Sequence, residues 1–287
     1  MAKSASHKFG QMIGDLLEEA MLVYMEPFAK RYGLYLDYKH PRDARGGKSE
    51  VIWVDINNNK HKLDLVLEKN GTDQLIGQPV AFVEMAWRRY TKHSKNKAQE
   101  IQGAILPLIR KYHKYSPFYG AVVAGEFTQP SLIQLRSEGF QVVYFAFETI
   151  VEAYKLVEID VYWGEGTSDE EVFGKIEQYE KLPHGKKSII ISSLLSANKH
   201  QLDEFISKLG QAIERQIEAV RVYLLHGKLA ELPSIEDALS YIASYNEVNS
   251  VVPLIKYEIM IRYNNGDKIE AQFKEKQSAV AFLTEYL

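Results

Sequence analysis

Cysteine is absent from all 287 residues. That absence excludes disulfides, thiolate nucleophiles and cysteine-based zinc sites together, and it is compatible with any compartment. The eight histidines form no His-x-His or His-x-x-x-His pair, so they supply no zinc-ligand spacing either. No apolar run approaches the roughly 20 residues that cross a bilayer. Met1-Ala2-Lys3-Ser4 leads into an amphipathic stretch with internal acids, where a signal segment would have an apolar core. A cytoplasmic protein with no membrane partner is expected. Also missing are a phosphate-binding Gly-rich loop, a Gly-x-Ser-x-Gly elbow and a His-Glu-x-x-His helix, which leaves P-loop, serine-hydrolase and zincin chemistry without footing. Neither charge sign dominates: 35 Lys and Arg against 38 Asp and Glu give a net −3, so any contact with nucleic acid must come from local clustering of cations.

What is present is ordinary for a globular chain, 46% hydrophobic and 25% charged, and long enough for two domains. Ile13, Leu17, Ala20, Met21, Tyr24 and Phe28 recur at helical spacing and predict a helix over residues 9–32. The basic stretch Tyr38–Lys48, with Pro41 and a Gly pair, reads as a loop. Val51–Ile56 and Lys62–Glu68 flank the turn-forming Asn57-Asn58-Asn59-Lys60 and suggest a hairpin, and Pro79–Glu84 gives a third strand. A helix with Ser94 as its N-cap follows to about Tyr115, then a strand at Tyr119–Ala124, a helix at Ser131–Glu138 and a strand at Phe140–Phe147. The alternation implies an α/β fold, a mixed sheet flanked by helices. Beyond Glu148 the pattern turns mainly helical, with an acidic patch at Gly164–Glu171, a linker near Leu182–Lys187 and a long helix from Lys199 to about Ala219. The expected domains are 1–182 and 188–287. The second reads as α+β, with two β-hairpin plus helix units: Val220–Leu225, His226-Gly227 and then Ala238, Tyr241 and Ile242, followed by Tyr257–Tyr263, the Asn264–Asp267 turn, Ile269–Phe273 and Ala279–Leu283.

Two acids sit where they are costly. Asp64 lies between apolar neighbours in a strand, and Glu84 closes Val80-Ala81-Phe82-Val83. Such carboxylates require a partner or a metal. If their strands are adjacent, both meet at one end of the sheet, and converging carboxylates are what metal-dependent phosphodiester cleavage uses. Next to them, residues 88–97 carry five cations, Arg88, Arg89, Lys92, Lys95 and Lys97, a density suited to phosphate contacts, with Gln99 following on the same helix.

In this order of elements, in Asp64, in Glu84-Met85-Ala86 after a hydrophobic strand and in Gly14-Asp-Leu-Leu-Glu18 on the first helix, residues 9–150 resemble the PD-(D/E)xK nuclease superfamily, which includes type II restriction endonucleases. The resemblance implies a Mg²⁺-dependent DNA endonuclease acting on duplex DNA as a homodimer. Asp64, Glu84 and the Met85 carbonyl would be metal ligands, with Glu18 an outer-shell or second-metal acid and Glu100 an accessory ligand. The chain departs from the family's pattern at Ala86, which stands where the motif has lysine. Three accounts compete: Lys95, Lys97 or Arg88 supplies the charge; position 86 carries an inactivating substitution; or catalysis has been lost and a DNA-binding protein remains. The bland readings are an acid tied by an arginine or a backbone amide for Asp64 and Glu84, a solvated helix face for Glu18, and a solvated loop for the basic run. In a third class of function the acids are structural and the C-terminal hairpin units bind a protein partner.

Overall fold

The computed structural model describes residues 4–164, 166–224, 228–246 and 254–287. It divides into two compact units, Met1–Leu209 and Gly210–Leu287. The expected junction at 182–188 is therefore displaced. Pro183 stands at the N-cap of a helix, His184–Ala197, whose Ile190, Ile191 and Leu194 are buried. The Leu-Pro-His-Gly-Lys-Lys composition that suggests a linker is the entry to that helix, a position proline tolerates.

The first unit opens with α1 (Ala5–Arg31), capped by the Ser4 hydroxyl, which accepts the His7 N–H. Phe9, Ile13, Leu16, Leu17, Ala20 and Met21 are buried along it at helical spacing. Five strands form the main sheet: β1 (Leu34–Tyr38), then, after the ribbon strands β2 (Val51–Val54) and β3 (Lys60–Leu63), β4 (Leu65–Lys69), β5 (Gln78–Arg88), β6 (Phe118–Gly125) and β7 (Gln141–Ala146). Their order is β1-β4-β5-β6-β7, antiparallel from β1 to β5 and parallel from β5 to β7. The fold is thus mixed α/β, with a mixed sheet flanked by helices. One face carries Phe82, Ala86, Ala121 and Val123 against α2 (Ser94–Lys111) and α3 (Gln129–Ser137). Against the other pack α1 and α4 (Phe147–Lys155), with α5 (Asp169–Glu180) and α6 (His184–Ala197) behind them. The last helix, α7 (Lys199–Ile213), sets Phe205 edge-on to Phe118, 5.0 Å between ring centroids.

Several elements differ from the expectation. Lys62–Glu68 is not one strand: β3 pairs only with β2, β4 joins the sheet, and the chain bends at Asp64 between them. β1 begins just before the expected loop. That loop is pinned from within, because Arg42 is fully buried and donates to both Glu68 oxygens at 2.9 Å, while Arg45 donates to both Asp37 oxygens at 2.7 Å. Ser94 is the first helical residue and not a cap; its hydroxyl donates to the Thr91 carbonyl. α4 opens the mainly helical region expected beyond Glu148, without bounds of its own in that expectation. The acidic patch is the start of α5, where Ser168 and Glu171 form a reciprocal capping box and acids face the positive helix end.

In the second unit β8 (Ile217–Leu224), β9 (Lys228–Leu232) and α8 (Ile235–Ser244) are followed by β10 (Tyr257–Tyr263), β11 (Lys268–Phe273) and α9 (Lys276–Thr284). The sheet order is β11-β10-β8-β9, all antiparallel, so two hairpin-plus-helix units join through their first strands. The expected repeat is present as structure. Val220, Val222, Ile259 and Ile261 pack with Ala238, Ile242, Ala279 and Leu283 in one core. The expected long helix stops at Ile213, and β8 takes the β-branched residues that follow. Leu225, His226 and Gly227, the turn of the first hairpin in this second unit, lie outside the described residues, as do Met1–Lys3 and Glu165 of the acidic patch. Among the described residues no helix is long and apolar enough to cross a membrane.

Candidate functional site

β5 outruns its neighbour. The last pair between β4 and β5 is Leu65 with Val83, so from Glu84 onward β5 has no main-sheet partner on that side. Asp64 fills this fork. Its Oδ2 accepts the Met85 N–H at 2.6 Å. In an extended strand the N–H and C=O of one residue point to the same side, so the Met85 carbonyl also faces the Asp64 edge. On the far side β5 stays paired to β6 as far as Gly125, whose φ of +94° and missing Cβ let it lie against the Arg88 carbonyl.

The Glu84 side chain shares the face of Phe82 and Ala86 by strand alternation. It is 8% exposed, and its Oε1 is buried without a hydrogen-bond partner. Burial, and then the charge of Asp64, push its titration well above the usual carboxylate range, against the opposing Lys97 charge and the Asp64 backbone N–H. Asp64 is raised by burial as well, opposed by the Met85 N–H, Lys97 and Lys39. Glu18 reaches the same place from α1: burial, Asp64 and Asp15 push it up to about 7, with Lys39 opposing. Three acids and two cations thus share one field. Lys97 acts on both sheet acids; Lys39 acts on Asp64 and Glu18.

Sequence reasoning had grouped Asp64, Glu84, Met85, Glu18 and Lys97; in the structure Met85 is hydrogen-bonded to Asp64, and Glu84, Glu18 and Lys97 act on or feel the Asp64 charge. It had missed Lys39, whose signal was only the basic character of the 38–48 stretch. Ala86 is 6% exposed and packed in the core beneath α2 with Ala98 and Ile101, so the cation facing Glu84 comes from the helix.

The remaining expectations separate. Lys95 is exposed and two residues from Lys97, about 200° around the helix, so it faces away from the acids together with exposed Gln99. Glu100 does not join the acids. Its carboxylate, on a side chain 58% exposed, meets Arg88 at 3.4 Å and Lys97 at 3.3 Å, so its partners are cations. Arg89 is not a free phosphate contact. It donates to the Trp163 carbonyl, lies 3.6 Å from Glu126 and sits 4.1 Å over the Phe147 ring, with Tyr90, Tyr162 and Trp163 around it. Arg88 and exposed Lys92 remain at the rim, the latter 5.6 Å over Tyr90.

No family model and no curated protein matches the chain. One solved structure, a protein of unknown function, AF1548, is similar at 13% identity over 72% of this chain and 93% of that one, with a TM-score of 0.29. At that score the likeness carries no argument, and the site must be read from its own chemistry.

That chemistry fits a small hard cation. Among the described residues no three His, Cys, Asp or Glu side chains gather to hold a metal ion. Mg²⁺ does not require three: it keeps several waters and commonly takes one or two carboxylates. Asp64, Glu84 and the Met85 carbonyl are such a donor set, and the unpartnered Glu84 Oε1 is a buried acceptor that a cation would satisfy.

Proposed function

We propose that the first unit is a Mg²⁺-dependent DNA endonuclease with a PD-(D/E)xK-type core, probing duplex DNA in the manner of a type II restriction enzyme. The observation that carries this reading is the buried Glu84 carboxylate beside Asp64, its Oε1 without a partner, with Lys97 facing both. Structural carboxylates in a core are normally satisfied, as Glu68 is by Arg42. Two acids kept together at the open end of a strand, with their titration raised, are the pattern of a site that awaits positive charge.

In this reading Asp64 and Glu84 bind the ion with the Met85 carbonyl, and Glu18 stands behind them as an acid that can take up or release a proton near neutrality. A bound Mg²⁺ supplies Lewis acidity toward the scissile phosphate and makes its water more acidic. Lys97 replaces the motif lysine: from α2 it orients the attacking water and opposes the charge that grows on the phosphate oxygens. Lys39 serves the same field from the other side. Arg88 and Lys92 line the approach and hold the backbone of the strand through salt-dependent contacts, and Lys95, on the other face of α2, adds a more distant one. One such unit cuts one strand, so cleavage of both calls for a homodimer, with the second unit reading sequence or joining the copies.

Purified protein incubated with plasmid and phage DNA, with Mg²⁺ or with EDTA, beside an Asp64→Ala control tests this. Discrete fragments that need Mg²⁺ and vanish in the control are expected. The position of Ala86 favours one second reading, a DNA-binding protein that has lost hydrolysis: retained binding with no cleavage under any divalent ion would select it.

A further inference from the structure

Beside the acids lies a cleft of about 550 Å³, a volume in the range that admits small organic groups. It shares two residues with the site, Met85 and Lys97, and runs from there between the first half of α1 and the end of β5. Its walls are unlike a plain phosphate track. Trp87 and Tyr90 provide ring surface, joined by the small accessible part of the buried Trp163, and Arg88 and Lys97 provide charge beside the acids. The ring wall is held in place by Arg89, which lies among Phe147, Tyr90 and Trp163. The Trp163 indole nitrogen is also buried and lacks an acceptor.

The α1 side is made of glycine. Gly10 and Gly14 are one turn apart and both line the cleft. Glycine inside a helix destabilises it, so each position needs a reason. At Gly10 packing supplies one, because a Cβ there would come within 3.3 Å of the Trp87 ring. At Gly14 nothing does: a Cβ would meet no atom within 4 Å. The space beside Gly14 is open, and it adjoins rings and cations.

We propose that this cleft receives a single unpaired nucleotide of the bound strand, its base against the aromatic wall and its phosphate at Arg88 and Lys97. Ring faces combined with cations are how proteins hold unpaired nucleotides, whereas a stacked base pair offers no free ring face. The inference rests on the nuclease reading of the adjoining acids and narrows it: the preferred substrate is DNA with an unpaired or extruded base at the cut site.

Binding in EDTA separates the two ideas, because it needs no hydrolysis. Labelled short duplexes, one fully paired and one carrying a single unpaired nucleotide, are titrated by fluorescence anisotropy with wild type, Gly14→Leu and Gly103→Leu. Gly103 is the control, a glycine on exposed α2 surface where a Cβ also meets nothing. Stacking of one base on aromatic side chains predicts roughly tenfold tighter binding of the bulged duplex by wild type and by Gly103→Leu. Gly14→Leu fills the cleft and should bind both duplexes equally, at the affinity of the paired one. Equal binding by wild type, or a preference that survives Gly14→Leu, overturns the proposal. If Mg²⁺-dependent cleavage is nevertheless observed, the nuclease reading stands alone. Failure to bind either duplex overturns both.

Discussion

Replacing Glu18 with glutamine should stabilise the protein at pH 8 and leave it unchanged at pH 4. The carboxyl titrates at about 7 in the folded chain against an ordinary 4.5, chiefly because it is buried and next because Asp64 lies near. Because the folded pKa is the higher one, the folded state holds a proton that the unfolded chain releases. The resulting stability is complete below pH 4.5 and is lost as pH rises to about 7. The full displacement corresponds to about 3.4 kcal/mol at 1.36 kcal/mol per pH unit. Glu18 is only half-buried, and solvent screening reduces this to about 1–2 kcal/mol. Glutamine keeps the size and removes the charge. Urea denaturation of both proteins at pH 4, 6 and 8 measures the effect: the difference should be near zero at pH 4 and grow to about 1–2 kcal/mol in favour of Glu18→Gln at pH 8. Mg²⁺ at pH 8 should narrow the gap, because the added charge relieves the acids in wild type. A difference that does not vary with pH, or a glutamine variant less stable at pH 8, would refute the raised titration of Glu18.

Other perturbations separate roles that the sequence merges. Lys97→Ala should lower the cleavage rate far more than it lowers DNA affinity, whereas Lys95→Ala should leave the rate at saturation and flatten the salt dependence of binding by about one charge; identical behaviour would remove the distinction between the two faces of α2. Glu68→Ala takes one of two carboxylates from the buried Arg42, leaving Asp37 at 2.8 Å and the Thr72 and Leu75 carbonyls, and should cost about 1–3 kcal/mol in urea denaturation; no measurable loss would mean that the Glu68 pair does not help hold the 38–48 loop. Burial raises Asp55, but hydrogen bonds from His61, Asn59 and Asn57 outweigh it and hold its carboxyl at about 2. Its stabilising effect is present above pH 4 and fades as pH falls toward 2, so Asp55→Asn should be less stable than wild type at pH 6 and no different at pH 2, as read by circular dichroism.

The acid pair was legible because an acid flanked by apolar residues in a strand signals a partner, and β4 and β5 are neighbours. Lys97 was legible as one of three candidates, with Lys95 and Arg88, for the charge missing at Ala86; what separates it from Lys95 is helical phase, since the buried residues Ala98 and Ile101 turn it toward the sheet. Arg89 was illegible for a different reason. Phe147, Tyr162 and Trp163 lie far along the chain, and an arginine surrounded by rings looks like any other arginine in sequence. The fold followed the same division. Long periodic segments such as α1 and β6 declared themselves, and the second unit's repeat was readable from alternation and turn residues. α5 carried its signal in Ser168-x-x-Glu171, but a run of acids reads as solvated until it is placed at a helix N-terminus. α6 was hidden by Pro183 and Gly185, which punctuate a linker and a helix start alike.

The bend at Asp64 has a consequence for how this chain tolerates change in length. Asp64 is where the backbone passes from the β2–β3 ribbon into the main sheet, held on one side by the pairing of Leu63 with Val51 and on the other by that of Leu65 with Val83. Side chains alternate along a strand, so one residue inserted between Leu63 and Leu65 would turn the acid away from Met85 or break one of the two registers. Residues added at Asn57–Asn59, at the far tip of the ribbon, would leave both intact. The ribbon can therefore lengthen, shorten at its tip or acquire new contacts while the carboxylate stays where it is, and related chains should vary in the one place and keep their spacing in the other.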